Sequence, residues 1–231
     1  MNETLRQDLS NIYDNLTKKD TLVKEILIGF LKCEDLIKED QSMKEYLGNS
    51  KSILSFFIPL SNESIQSNDN KTFIPSRQII DTYKHALNIK VQFIQEVSTF
   101  LTTKGYIIYD TNEKLDLDEI AYLSGLGNFG MHTSLITKAG ACGCLFSLLT
   151  NIELESDAKY TKPTCIYKAT GRACLDCFRA CQLHALSFDG LDKSVCGKHA
   201  LDNLEDIDIN SDICFKCLSN TPCGCEDPLD R

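Results

Sequence analysis

Nine of the twelve cysteines in this chain lie between Cys165 and Cys225, inside the last 67 of 231 residues. The centre of the pattern is Cys174-x2-Cys177-x3-Cys181, with Cys165 upstream and Cys196, Cys214, Cys217, Cys223 and Cys225 downstream. Thiols two and three residues apart can be turned toward one small inorganic centre, and this limits what the segment can fold into. From about residue 156 regular apolar periodicity fades, so the segment buries too little apolar surface to hold itself together. Metal binding must then supply much of its stability.

Ferredoxin-type modules use such spacing twice: three cysteines of one run hold one cluster and the fourth reaches across to the other. On this scheme Cys165, Cys174, Cys177 and Cys223 hold one 4Fe–4S cluster, and Cys181, Cys196, Cys214 and Cys217 hold a second. Cys225 competes with Cys223, because five residues rather than three separate Cys217 from Cys223. Zinc is the rival, since Cys174-x2-Cys177 and Cys214-x2-Cys217 loosely form a four-cysteine zinc pattern. The x3 step to Cys181 and the approximate duplication favour iron–sulfur clusters. Two such clusters imply electron transfer and a low-potential donor such as a ferredoxin or flavodoxin.

Thiols used as ligands belong in a reducing compartment. The opening MNETLRQDLS has no basic stretch leading into an apolar one, so it does not read as a signal peptide. No apolar run approaches the ~18 residues of a membrane span. The expectation is a cytoplasmic protein with no membrane partner. The formal charge of −9 opposes polyanions, which bind through lysine and arginine.

The first 155 residues contain three cysteines, Cys33, Cys142 and Cys144, which read as buried apolar side chains. Helical spacing covers residues 3–18 and, less regularly, 20–39. Residues 52–58 read as a buried strand ended by Pro59, and residues 61–71 as a polar loop. Ser76 is placed to cap a long helix with Ile80, Tyr83, Leu87, Val91, Ile94, Val97 and Leu101 on its apolar face, ended by Gly105. Residues 106–109 suggest a strand, 116–124 a short helix, and 144–154 a strand closing the sheet. This is an α+β sandwich pattern. The domain boundary is expected at 155/156.

Gly125, Gly127 and Gly130 form a G-x-G-x-x-G, but a helix precedes them and a strand follows, the reverse of a dinucleotide-binding turn. The stretch from Ala121 to Ile136, AYLSGLGNFGMHTSLI, followed by Gly140 and by Leu145 to Thr150, resembles the epoxyqueuosine reductase family. There an A-G-L-G-x-x-G-K-[HN]-[ST]-x-L-I signature precedes a dicluster ferredoxin module. The resemblance covers roughly residues 50–225. It implies a nitroreductase-like domain over residues 1–155 and a ferredoxin-like domain over 156–231. It further implies a cobalamin in the first domain, reduced by electrons from the clusters. Reductive dehalogenases share this arrangement.

Carried over by position, Gly125, Leu126, Gly127, Gly130, His132, Thr133 and Ser134 would line the cobalamin loop. The family's acidic element matches only loosely at Asp110, the candidate proton donor. Met131 stands where the signature has lysine, and Gln182 where proline follows the third clustered cysteine. The chain also stops soon after the cysteines, without the helical-repeat extension of many members. With the negative charge, these departures speak against tRNA and leave a small molecule or modified nucleoside as substrate. A flavin in the loop, or a corrinoid-handling electron carrier without substrate chemistry, are the alternatives.

Overall fold

The computed structural model describes residues 1–110, 115–171, 174–196 and 214–230, with the side chain of Asp110 outside the described set. In chain order the elements begin with α1 (Asn2–Leu16), β1 (Leu27–Lys32), α2 (Cys33–Glu39), α3 (Lys44–Leu47), β2 (Ser52–Pro59), α4 (Asn62–Ser67) and α5 (Arg77–Thr103). The middle holds β3 (Ile108–Asp110), α6 (Leu117–Leu123), β4 (Gly127–Phe129), β5 (Leu135–Thr137) and β6 (Gly143–Thr150). The last part holds α7 (Ile166–Thr170), α8 (Asp176–Ala180), β7 (Leu186–Ser187), β8 (Gly190–Leu191) and, from Lys216 to Ser219, α9. The class is α+β. Two compact units are discontinuous in sequence. The first comprises 1–59, 86–127 and 143–161, the second 60–85, 128–142 and 162–231.

The first unit is built on an antiparallel sheet of order β1-β2-β6-β3. Alternate residues of a strand face opposite sides, and both sides of β2 are covered, so all eight of its residues are buried. On one side Phe56 lies directly opposite Phe146 and stacks on it at 5.1 Å. Phe93 of α5 meets Phe56 and Phe146 edge-on at 5.2 and 6.2 Å, and Tyr13 of α1 meets Phe93 at 5.9 Å. On the other side Leu31, Ile53 and Leu149 pack with Leu36 of α2, Leu47 of α3, and Ile120 and Leu123 of α6. The outer edge of β1 is covered by residues 154–157. The Asp157 carboxylate accepts the Phe30 N–H at 2.8 Å, and Arg6 Nη2 donates to it from 2.8 Å to each carboxylate oxygen. Covering an edge strand this way blocks pairing with another chain.

Several expectations hold: the first helix, the buried strand 52–58, and the helix capped by Ser76, whose hydroxyl accepts the Ile79 N–H at 3.1 Å. Others are corrected. Residues 20–39 are not one helix, because Leu27 to Lys32 pairs with β2 and only Cys33 to Glu39 is helical. Residues 61–71 are not all loop: Ser61 caps α4 by accepting the Ser64 N–H. The last apolar run lies inside the sheet between β2 and β3 instead of closing it. On α5 the buried stripe runs through Ile79, Ala86, Ile89, Phe93, Val97 and Leu101, while Val91 is 53% exposed. Among the described residues no helix is long and apolar enough to cross a membrane.

Phe93 joins two helices to two strands, so Phe93→Ala is expected to cost ~3–5 kcal/mol of stability, whereas Val91→Ala on the exposed face of the same helix stays within ~0.5 kcal/mol. Circular dichroism during denaturant unfolding checks this, and equal midpoints for the two variants would contradict the packing described.

Candidate metal centre

The second unit is held to its cysteine segment by polar groups near Asn68. The Asn68 side chain is fully buried and donates to the Cys214 carbonyl at 3.0 Å and to Ser219 Oγ at 2.9 Å. Its carbonyl oxygen accepts the Ser76 N–H at 3.0 Å, and Asn220 donates to its backbone oxygen at 2.7 Å. Lys216, also buried, donates to the Asp69 carbonyl. Phe215, in a left-handed conformation at φ +53°, sets its ring edge-on to Tyr83 of α5 at 5.4 Å. Residues 68–83 thus fix the backbone that carries Cys214 and Cys217. Sequence reasoning missed Asn68 entirely, since a lone Asn in a polar stretch carries no signal until its partners are known.

The cysteines gather in two groups. Cys165, Cys174, Cys177 and Cys223 line one pocket together with Met131, His132 and Pro228. Burial pushes the Cys177 thiol up to about 12, and the neighbouring Cys223, Cys165 and Cys174 push the same way. Burial also pushes Cys223 up to about 11, with Cys165 and Cys174 adding. In the second group, burial raises Cys217, and Cys214, Cys181 and Cys196 add to the shift. Cys214 and Cys196 are raised by burial too, each with Cys181 contributing. The groups adjoin at α8, where the Cys181 N–H bonds to the Cys177 carbonyl at 3.0 Å, one helical turn away. Cys223 lines the pocket; Cys225 is not among the described residues that do.

Thiols gathered this closely, several of them raised by burial and by their neighbours, do not ionise together without a cation among them. This is the donor chemistry that an iron–sulfur core satisfies, and the two sets fit it. Among the described residues no three His, Cys, Asp or Glu side chains are close enough to hold a single metal ion. A lone tetrahedral zinc at ~2.3 Å from each sulfur needs its ligands nearly in contact; a four-iron core holds them farther apart. Cys33, Cys142 and Cys144 are buried, at 4% exposure or less.

The glycine loop runs from the first unit into the second. Gly125 ends α6 at φ +72°, where a side chain would strike the Ala158 carbonyl at 2.4 Å. A side chain on Gly130 would strike the His132 ring at 2.6 Å. Leu126, Gly127, Gly130 and His132 are buried, Ser134 is half-buried, and Thr133 is exposed with φ +66°. Both glycines therefore make room for the chain's own atoms. The His132 ring faces the thiols, its Nε2 3.5 Å from Cys223 Sγ. Burial lowers its pKa to about 4. Asp110 ends β3 opposite Leu148; its side chain is outside the described residues.

No protein-family model matches the chain, and no curated protein matches it in sequence. Solved structures do match. An epoxyqueuosine reductase from Streptococcus thermophilus aligns with a TM-score of 0.58 at 16% identity over 100% of this chain and 69% of that one. An epoxyqueuosine reductase bound to a tRNA-Tyr stem loop aligns with a TM-score of 0.60 at 16% identity, over 96% of this chain and 66% of that one. The catabolic reductive dehalogenase NpRdhA aligns with a TM-score of 0.62 at 14% identity, over 88% of this chain and 30% of its own. The chain spans about two thirds of the length of the reductases and under a third of the dehalogenase. Together these likenesses show that it has the fold shared by epoxyqueuosine reductases and reductive dehalogenases.

Proposed function

We propose that this protein is an iron–sulfur oxidoreductase of the epoxyqueuosine reductase and reductive dehalogenase kind, carrying two 4Fe–4S clusters. The observation that carries the reading is the pair of four-thiol groups adjoining at α8 through Cys177 and Cys181. Cys165, Cys174, Cys177 and Cys223 would hold one cluster; Cys181, Cys196, Cys214 and Cys217 the other. Bound there, the clusters supply one-electron transfer, and their closeness along α8 suits passage between them. The protein's part is ligation, exclusion of water and charge: Lys216 places a buried cation beside Cys214, which offsets the negative charge of ligated thiolates. Functionally we divide the chain into an N-terminal portion, 1–155, and a cluster-bearing portion, 156–231.

The reading extends to a cobalamin as electron acceptor because one neighbour's structure is described as suggesting a mechanism for B12-dependent dehalogenation. When bound, cobalamin supplies the reducing chemistry that a side chain cannot. Asp110 is the proposed proton donor by its place at the end of β3. The closed spaces beside Gly125 and Gly130 favour a second reading, an electron carrier or corrinoid-handling protein without substrate chemistry of its own. The substrate class proposed is a small molecule or modified nucleoside. One fold neighbour was solved with a tRNA stem loop, so tRNA belongs in the substrate assay despite the charge of −9. A ferredoxin or flavodoxin is the proposed donor.

Protein purified without oxygen should contain about eight iron and eight sulfide per chain; zinc without sulfide would end the iron–sulfur reading. Cys177→Ser and Cys217→Ser should each lower the iron content by about half. Cys223→Ser should do the same while Cys225→Ser keeps the full complement, and the opposite result would exchange their roles. Added cob(II)alamin should show a perturbed visible spectrum. No change at cofactor excess would remove the corrin from the mechanism and leave the clusters standing; turnover of epoxyqueuosine, free or in tRNA, would rule out the carrier reading.

A further inference from the structure

His132 lies on the glycine loop, and its ring is turned toward Cys223. Its ring is 2% exposed, and both nitrogens have identified neighbours. The Ser134 N–H donates to Nδ1 at 3.2 Å, an arrangement set by the left-handed turn at Thr133. A nitrogen that accepts a backbone N–H carries no proton, so the ring is neutral and its proton sits on Nε2. That Nε2 lies 3.5 Å from Cys223 Sγ. Thr221 Oγ1 also lies 3.2 Å from the Cys223 sulfur, but the single Thr221 hydroxyl proton has a carbonyl acceptor, Leu218 O, at 2.7 Å. Once Cys223 is a thiolate it can only accept, and the His132 Nε2–H is a side-chain donor aimed at it. Gly130 keeps this geometry open, because a methyl group there would come within 2.6 Å of Nε2.

We propose that His132 is a positioning residue of the cluster held by Cys165, Cys174, Cys177 and Cys223: its Nε2–H bonds to the Cys223 sulfur and raises that cluster's reduction potential. The proposal rests on the iron–sulfur reading above. A hydrogen bond to a ligating sulfur draws negative charge off the cluster, and it stabilises the reduced state, which carries one more electron, over the oxidised one. The same bond fixes the ring orientation, as outer partners of metal ligands do elsewhere. No atom is transferred; the electron comes from the external donor.

The test is a redox titration of the anaerobic full-length protein with dithionite and mediators, followed by EPR. In His132→Leu the potential of one cluster should fall, shifting its reduction equilibrium about tenfold toward the oxidised form, ~59 mV for one electron, while the other cluster is unmoved. Gly130→Ala, which keeps the histidine but displaces its ring, should move the same cluster in the same direction. His132→Gln, whose amide still offers an N–H, should recover part of the shift. Full iron and sulfide in His132→Leu and Gly130→Ala with both potentials unchanged would overturn the proposal. If His132→Leu loses its cluster, wild-type protein with 15N-labelled histidine decides: a nitrogen coupling on one reduced-cluster signal that Gly130→Ala weakens supports the bond, and no coupling refutes it. Wild-type protein without iron would sink the iron–sulfur reading itself, a result distinct from unchanged potentials.

Discussion

The gathering of cysteines into two groups is the constraint on which the second unit depends. Each member raised by burial is raised further by its neighbours, so the arrangement is stable as thiols or as ligands of a cation-rich core, and not as free thiolates. The second unit buries Ile65, Ile79, Leu135, Ile136 and Leu218, and its cysteine segment is further held by backbone hydrogen bonds and by a few buried polar side chains. Asn68 and Lys216 are the chief ones, and both bond to backbone. Metal binding and folding are coupled in such a segment because the ligands contribute cohesion that apolar area does not.

The sheet of the first unit follows a different logic. Its strand β2 is buried on both faces, so it is largely apolar without polar alternation, and its two buried serines are hydrogen-bonded, Ser52 to the Leu154 N–H and Ser55 to the Ser147 hydroxyl. Phe56, Phe146, Phe93 and Tyr13 form a linked aromatic set on one side, while aliphatic side chains fill the other. A change at Phe93 therefore reaches two helices and two strands at once.

The glycine loop shows how one stretch can serve packing and chemistry together. Gly125 and Gly130 lack side chains because a carbonyl and an imidazole occupy the space. A signature that resembles a cofactor loop thus has, in this chain, a reason internal to the fold. His132 is brought to Cys223 from a position 91 residues away in sequence, which no spacing rule between cysteines anticipates.

What the sequence determined by itself was local or periodic. Helix α1, the strand at 52–58 and the Ser76 cap were all legible, because each rests on spacing within a few turns of chain. The strand at 27–32 was hidden because its apolar residues fit a helix as well as a strand, and only pairing with β2 decided between them. The buried stripe of α5 was misjudged at Val91 because many apolar residues on a long helix define two overlapping faces; the sheet chose the one through Phe93. Tertiary structure alone decided that Cys223 joins Cys165, Cys174 and Cys177, that Asn68 anchors the cysteine backbone, and that His132 points at sulfur. Each depends on residues far apart in the chain meeting in a dry interior, where an unpartnered polar group is costly enough to select its neighbour.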